Sequence, residues 1–257
     1  MNSNVLEKSR GIVAFAVNNS ETDYVSIASQ TLKLAGHTLN LPYTLITPTV
    51  ELEGNQRFDI DKEQFVQWRN AGRYQAYELS PYDETIVIDA DYLVVNQNIL
   101  KIFECTWDYI IMKQARGLTQ EFPCTMGKNS LPYVWATVFA FRRTPRAKMF
   151  FDLVKRIQDN YEYYKKLFNI GPRNFRNDFA FSIADIILNG YAVTDHGIPG
   201  PMLNVDQPIN SITHCANGFV IKDDNRAFIV PRTNLHIMSK QYLQSKQFKE
   251  FVDCELA

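Results

Sequence analysis

The sequence predicts an α/β fold with a mostly parallel central sheet flanked by helices, followed by a C-terminal hairpin and loop region. Three observations predict it. The chain opens as strand, helix, strand; a short apolar run near residue 86 ends directly in a pair of carboxylates; and Pro and Gly become dense between His196 and Asn234.

Gly11 to Val17 is a nearly continuous apolar run, the pattern of a strand covered on both faces, and it ends at Asn18-Asn19. From Thr22 to Leu34, Val25, Ala28, Leu32 and Ala35 recur at helical spacing, with Gly36 as the expected stop. Pro42 to Thr47 reads as a second strand. From Lys62 to Leu79 a helix is expected, with Phe65, Trp68, Gly72, Ala76 and Leu79 on one face and Arg69, Arg73 and Tyr77 on another. Ser80-Pro81 ends it, and Thr85 to Ile88 forms a buried strand running into Asp89-Ala90-Asp91. Val134 to Phe141 is a further strand. Pro145 opens a long helix whose apolar stripe is Phe150, Leu153, Val154, Ile157, Tyr161 and Tyr164. Another helix runs from about Asp178 to Leu188 and closes at Gly190, and Gly218 to Pro231 reads as a hairpin turning at Asp223 to Arg226.

Composition narrows the class. With 257 residues, 46% apolar and 21% charged, the chain suits one globular domain spanning 1–257. A net charge of −1 excludes polyanion binding by bulk electrostatics and leaves room for a local basic face. The opening residues have no apolar core and no apolar run approaches ~20 residues, so a cytoplasmic protein without a membrane partner is expected. Cys105, Cys124, Cys215 and Cys254 are scattered, with neither zinc-site nor Cys-x-x-Cys spacing, and read as reduced thiols.

Asp-x-Asp alone is uninformative, and the chain carries its own control in Asp59-Ile60-Asp61. That pair lies among Arg57, Lys62 and Glu63 with no strand before it, as a solvated loop or helix start would. Asp89 and Asp91 instead follow four apolar strand residues, at the carboxyl end of a sheet, where α/β proteins bind ligands. Two carboxylates brought together there repel, and a divalent cation would offset that repulsion; oxygen ligands suit Mn²⁺ or Mg²⁺. The structural alternative is that both side chains cap the following turn.

The stretch from Arg73 to Val95 resembles the glycogenin-like glycosyltransferases of the GT-A fold, a Rossmann-like architecture, with a basic residue, a Tyr-Asp turn, a strand and Asp-x-Asp in one register. The resemblance implies transfer of a sugar from a nucleotide diphosphate, most simply a UDP-sugar, to an acceptor hydroxyl, with retention of configuration. It assigns the metal to Asp89 and Asp91, with Ala90 between them, and turns Arg73 toward the sugar nucleotide. Ala16, Val17 and Asn18 would hold the nucleoside, and Tyr24 would stack on the base. Late in the chain, His236 would complete the metal site and Lys240 would contact the phosphates. Residues 11–100 would then form the nucleotide-sugar part, and 101–257 the acceptor part carrying the late metal ligand. Away from the family, His236 reads equally as a capped His and Lys240 as a solvated charge.

The chain departs from the family pattern in two places. Trp135-Ala136-Thr137 stands where the family has Asn-Ser-Gly-like residues, with Thr137 the candidate for sugar contact, and His236 and Lys240 are more closely spaced than usual. The family's Asp-Gln-like pair finds its nearest match in Asn177-Asp178, where Asp178 either orients the sugar, acts in catalysis, or is a helix-N-terminal carboxylate.

From Arg142 to Arg176 the sequence holds ten Lys or Arg against three Asp or Glu. This is either a solvated helix face or a seat for a polyanionic acceptor, such as DNA with a hydroxylated base, as some viral glycosyltransferases use; a glycan is the other acceptor class. Two other functions are open. A sugar-phosphate nucleotidyltransferase would carry a Gly-rich basic loop after its first strand, where this chain has Asn18 to Glu21. A non-catalytic nucleotide-sugar or glycan-binding protein would need no intact metal site.

Overall fold

The computed structural model describes residues 8–47, 55–57, 72–122, 125–126 and 131–257. Asp59, Asp61, Cys124 and the part of the expected helix before residue 72 lie outside them.

Strand β1 (Arg10–Phe15), helix α1 (Tyr24–Leu39) and strand β2 (Tyr43–Ile46) form the expected opening. Asp23 caps α1 by accepting the Ser26 N–H at 3.0 Å, satisfying one orphan donor of the first turn. The helix does not stop at Gly36. It runs on to Leu39 and closes on Asn40 in the left-handed region, φ 51°. Gly36 serves packing instead, because a Cβ there would lie 2.5 Å from the Tyr43 ring.

Strand β3 (Asn55–Arg57) lies beside β2. Gly72 has φ 90°, a conformation that cannot continue a right-handed helix, so the expected passage through Gly72 is interrupted. A 3-10 turn (Arg73–Gln75) and helix α2 (Ala76–Leu79) follow. Next come β4 (Glu84–Ile88), β5 (Tyr92–Leu93), a 3-10 segment (Asn98–Glu104), β6 (Tyr109–Met112) and β7 (Ala115–Gly117). A small pair, β8 (Thr125–Met126) and β9 (Leu131–Pro132), precedes the long strand β10 (Trp135–Arg142).

Thr144 caps helix α3 (Pro145–Asp159), with Pro145 in the first turn where its missing N–H costs nothing. The long apolar stripe expected as one helix is divided at Asn160, φ −123° and ψ 34°, into α3 and α4 (Tyr161–Leu167). Helix α5 (Asn177–Leu188) ends at Asn189 and Gly190. The last part comprises β11 (Met202–Val205), β12 (Ser211–Cys215), β13 (Gly218–Lys222), β14 (Ala227–Pro231), β15 (Leu235–Ile237), α6 (Lys240–Leu243) and α7 (Lys246–Leu256). The β13–β14 hairpin turns where expected, its turn held by Asp223 Oδ1, which accepts the N–H groups of Asn225 and Arg226.

Among the described residues, six strands form the central sheet in the order β3-β2-β1-β4-β10-β6. The first four run parallel, and β10 runs antiparallel between β4 and β6. Alternation along each strand feeds two cores. Val13, Phe15 and Val87 join the aromatic layer of Phe139, Phe150, Phe151 and Phe181 under α3 and α5. Ile12, Ala14, Ile86 and Ile88 pack with Ala28 and Leu32 of α1 on the other face. Each fully buried Phe or Ile stabilises the fold by about 1.5–3 kcal/mol, which explains why β1 and β4 read as unbroken apolar runs.

A second sheet, β5-β15-β11-β7, continues from the end of β4, and the β12-β13-β14 meander packs beside it with α7. Cys105, Cys215 and Cys254 are free thiols. Among the described residues no helix is long and apolar enough to cross a membrane.

Candidate active site

The site lies at the carboxyl ends of the parallel strands. Ala14 of β1 pairs with Ile88 of β4, so the chain leaves the sheet toward Ala16 and toward Asp89 at the same edge. The Asp89 N–H donates to the Thr137 carbonyl at 2.9 Å, keeping the first carboxylate tied to β10. One residue later, Thr31 Oγ1 of α1 donates to the Ala90 carbonyl at 2.9 Å. The turn between the two carboxylates is therefore fixed by a strand on one side and a helix on the other.

The chain then enters β5, which pairs antiparallel with β15, placing His236 opposite Tyr92. The Ile237 N–H donates to the Asp91 carbonyl at 3.0 Å. This pairing brings Asp89, Asp91 and His236 together, with one ligand atom from each lying within 4.8 Å of the others. His236 Nε2 is 3.3 Å from Asp91 Oδ1, and Lys240 Nζ pairs with Asp91 Oδ2. Burial alone would push the Asp91 carboxyl up, but His236 and Lys240 outweigh it and hold the group far below the usual carboxylate range, so Asp91 is ionised.

Two carboxylates and an imidazole nitrogen form a donor set that suits Mn²⁺, and Mg²⁺ less closely because of the nitrogen. The residues fit a divalent cation on a second ground as well: the His236 ring is held by Asn204, whose Oδ1 lies 2.6 Å from Nδ1, which leaves Nε2 on the carboxylate side.

Arg73 enters from below. Its side chain is 2% exposed, its guanidinium pairs with Asp89, and Nη1 donates to the Ala136 carbonyl at 3.2 Å. Burial lowers its pKa to about 10, with Asp91 and Asp178 opposing the shift, so it remains charged at neutral pH. Asp178, in the first turn of α5, accepts the Ala136 N–H at 2.8 Å and pairs with Arg176 at 2.6 Å. Tyr133 reaches it at 3.4 Å, and burial together with Asp178 raises that phenol well above its ordinary value. Asp178 and Arg73 thus hold the N–H and the carbonyl of one residue, Ala136, fixing the two peptide groups that flank it.

The structure gathers Asp89, Asp91, His236, Arg73 and Lys240 into one cluster. Tyr24 adjoins it, with Lys240 Nζ 5.8 Å from its ring centre. Ala16 and Val17 are buried at the end of β1, and Asn18 Oδ1 accepts the Val25 N–H at 2.8 Å, fastening that end to α1. Thr137 is buried next to Asp89, and Asn177 begins α5 beside Asp178. Sequence reasoning missed Thr31, Asn204 and the Ala136 peptide. A buried polar residue in an otherwise apolar segment, as at Thr31 and Asn204, is the signal that could have marked two of them.

A groove of about 550 Å³ opens between α1 and α7 beside Asn18, lined also by Asp23, Ser26, Lys33, Lys249 and Asp253. A smaller cavity of about 160 Å³ runs along β6, lined by Asp108, Tyr109, Lys113, Asp185 and His196. At its Tyr109 end the strand pairs across β10 with the start of β4, the end opposite the carboxylates.

No protein-family model and no curated protein sequence matches the chain. Solved structures with a similar arrangement include an active-site mutant of LgtC, at 15% identity and a TM-score of 0.45, covering 67% of this chain and 69% of LgtC. The galactosyltransferase LgtC in complex with donor and acceptor sugar analogues gives 15% identity and a TM-score of 0.43, covering 67% and 70%. The apo-form glycosyltransferase GlyE of Streptococcus pneumoniae TIGR4 gives 15% and 0.43, covering 73% of this chain and 45% of GlyE. This chain spans less than half of GlyE.

Proposed function

We propose that the chain is a metal-dependent GT-A glycosyltransferase that moves a sugar from a nucleotide diphosphate, a UDP-sugar by preference, to an acceptor hydroxyl. The observation that carries this reading is the convergence of Asp89, Asp91 and His236 at the carboxyl end of β4, with their ligand atoms within 4.8 Å. A bound Mn²⁺ or Mg²⁺ would act as a Lewis acid on the diphosphate and make it a better leaving group.

The chain's own residues supply the rest. Lys240 neutralises negative charge that grows on the departing diphosphate, and its ammonium changes partner from Asp91 to phosphate. Arg73 pairs with Asp89 and orients it. Ala16, Val17, Asn18 and Tyr24 form the nucleoside end, with Tyr24 offering an aromatic face to the base. Asp178 fixes the Ala136 peptide beside Thr137 and, with Asn177, borders the sugar. Residues 11–100 serve the donor and 101–257 the acceptor and the late metal ligand. The glycogenin-like resemblance leads us to expect retention.

A glycan hydroxyl is the first acceptor reading. A hydroxylated DNA base is the second, and one observation favours it. Within 142–176, Arg142, Arg146, Lys148, Lys155, Lys165 and Arg176 are paired with acids and Arg143 donates to the Ser80 and Tyr82 carbonyls, whereas Arg156, Lys166 and Arg173 have no ion pair with an acid among the described residues. Arg173 lies 5.9 Å from the Phe179 ring, beside Asp178.

Incubation with Mn²⁺ and a panel of nucleotide sugars tests the reading. Release of nucleoside diphosphate that stops on chelation supports transfer. Pyrophosphate exchange would instead indicate a nucleotidyltransferase, and binding without turnover a non-catalytic sugar-nucleotide protein. Steep salt dependence with a DNA acceptor separates the two acceptor classes.

A further inference from the structure

We infer that Asn204 is a positioning residue for the metal centre, fixing both the ring orientation and the tautomer of His236; this rests on the metal-dependent reading above. Asn204 sits on β11, which pairs in parallel with β15 so that Asn204 lies directly beside His236. Neighbours in register on adjacent strands project from the same face, so the contact is built into the sheet. Asn204 is 1% exposed and His236 9%.

The contact is directional. An amide oxygen can only accept, so Asn204 Oδ1 at 2.6 Å requires the proton on His236 Nδ1. Nε2 is then the nitrogen left facing Asp91 Oδ1, at 3.3 Å, where an arriving cation would displace any proton that nitrogen shares with the carboxylate. The remaining amide group agrees with that orientation, since Asn204 Nδ2 faces Met238 Sδ, a weak acceptor, at 3.9 Å. If the amide turned over, its NH₂ would face Nδ1 and the ring proton would move to Nε2, blocking that nitrogen as a metal ligand. Asn204 thereby selects the ligating form of His236, and the β11–β15 register keeps the ring from rotating away.

The test compares the unaltered full chain with Asn204→Leu, which cannot accept, and Asn204→Asp, which can. Mn²⁺ affinity is measured from the electron-paramagnetic-resonance signal of free Mn²⁺, and the His236 tautomer from ¹⁵N chemical shifts of the metal-free protein at a pH where the ring carries a single proton. The expected result is an Nδ1–H tautomer in the unaltered chain, loss of that tautomer in Asn204→Leu, and Mn²⁺ affinity there lower by about 10–100-fold. Asn204→Asp should keep both tautomer and affinity, a rescue that a purely structural role would not produce. A thermal melt of each variant registers loss of folding, and Asn204→Asp carries the test if the Leu variant does not fold: loss of the Nδ1–H tautomer in that folded variant without loss of Mn²⁺ affinity overturns the proposal. So does an Nε2–H tautomer in the unaltered chain, or full Mn²⁺ affinity in a folded Asn204→Leu. If His236→Ala weakens Mn²⁺ binding and Asn204→Leu does not, this inference fails alone. If the unaltered chain binds no Mn²⁺, the metal-dependent reading fails and this inference with it.

Discussion

At the β4–β5 turn, Asp91 meets Lys240 and His236, two side chains able to exchange partners; at the start of α5, Asp178 meets a backbone N–H at 2.8 Å and Arg176 at 2.6 Å. Both carboxylates are buried, at 8% and 7% exposure. The difference lies in what a ligand could displace. A phosphate could draw Lys240 away and a cation could bridge Asp91 to His236, whereas the Ala136 N–H cannot leave Asp178 without breaking the start of β10. Similar burial therefore accompanies two different sets of partners: those of Asp91 are exchangeable, as the proposed metal site requires, and that of Asp178 is fixed in the backbone. Arg73 connects the two by touching Asp89 and the carbonyl of Ala136, the residue whose N–H Asp178 holds.

Substitutions can break this comparison in order of expected effect. Arg73→Ala leaves Asp89 without its cation and the Ala136 carbonyl without a donor. Removing one partner of a buried pair costs about 3–5 kcal/mol, so denaturant unfolding should show the largest loss of stability here. Asp91→Asn should remove most Mn²⁺ binding and lower kcat/KM by more than the ~100-fold upper range for an outer-shell residue, read by metal titration and by nucleoside diphosphate release. Full metal-dependent turnover in that variant would remove the central assignment.

Asp178→Asn sharpens the contrast, because an amide can still accept from Ala136 while losing its charge toward Arg176. A stability loss of about 1–3 kcal/mol is expected with Mn²⁺ affinity unchanged; a collapse of Mn²⁺ affinity would place Asp178 in the metal centre itself. Thr31→Val removes the hydroxyl that holds the Ala90 carbonyl, and should cost about 0.5–1.5 kcal/mol in a thermal or urea melt. That is the smallest effect, since the Asp89 N–H still ties the turn to Thr137.

Local features of the fold were legible wherever the chemistry was local. The apolar runs of β1 and β4, the Pro145 start of α3 and the Asp223 hairpin turn each follow from residues within one element. Errors came where a glycine or a break had to be interpreted without its neighbours. Gly36 reads as a stop in sequence, but the Tyr43 ring that requires it lies on the next strand. The stripe from Phe150 to Tyr164 keeps helical spacing across Asn160 even though the backbone bends there. In the site, Asp89 and Asp91 were visible because an apolar strand ends on them, and Arg73, His236 and Lys240 only through resemblance. Asn204 and Thr31 carry only the faint mark of a polar residue in an apolar segment, which names no partner.

The sequence alone thus determined the α/β class and the exit of two carboxylates from a buried strand, because strand period, caps and turn residues act over a few positions. Tertiary structure decided which other groups reach those carboxylates. The β5–β15 and β11–β15 registers deliver His236 and Asn204 from more than a hundred residues away, and the left-handed turn at Gly72 precedes the inward-facing Arg73. Such registers are set by the packing of whole faces, so the groups that meet the Asp-Ala-Asp segment, His236 and its support Asn204, reach it only through the assembled sheets.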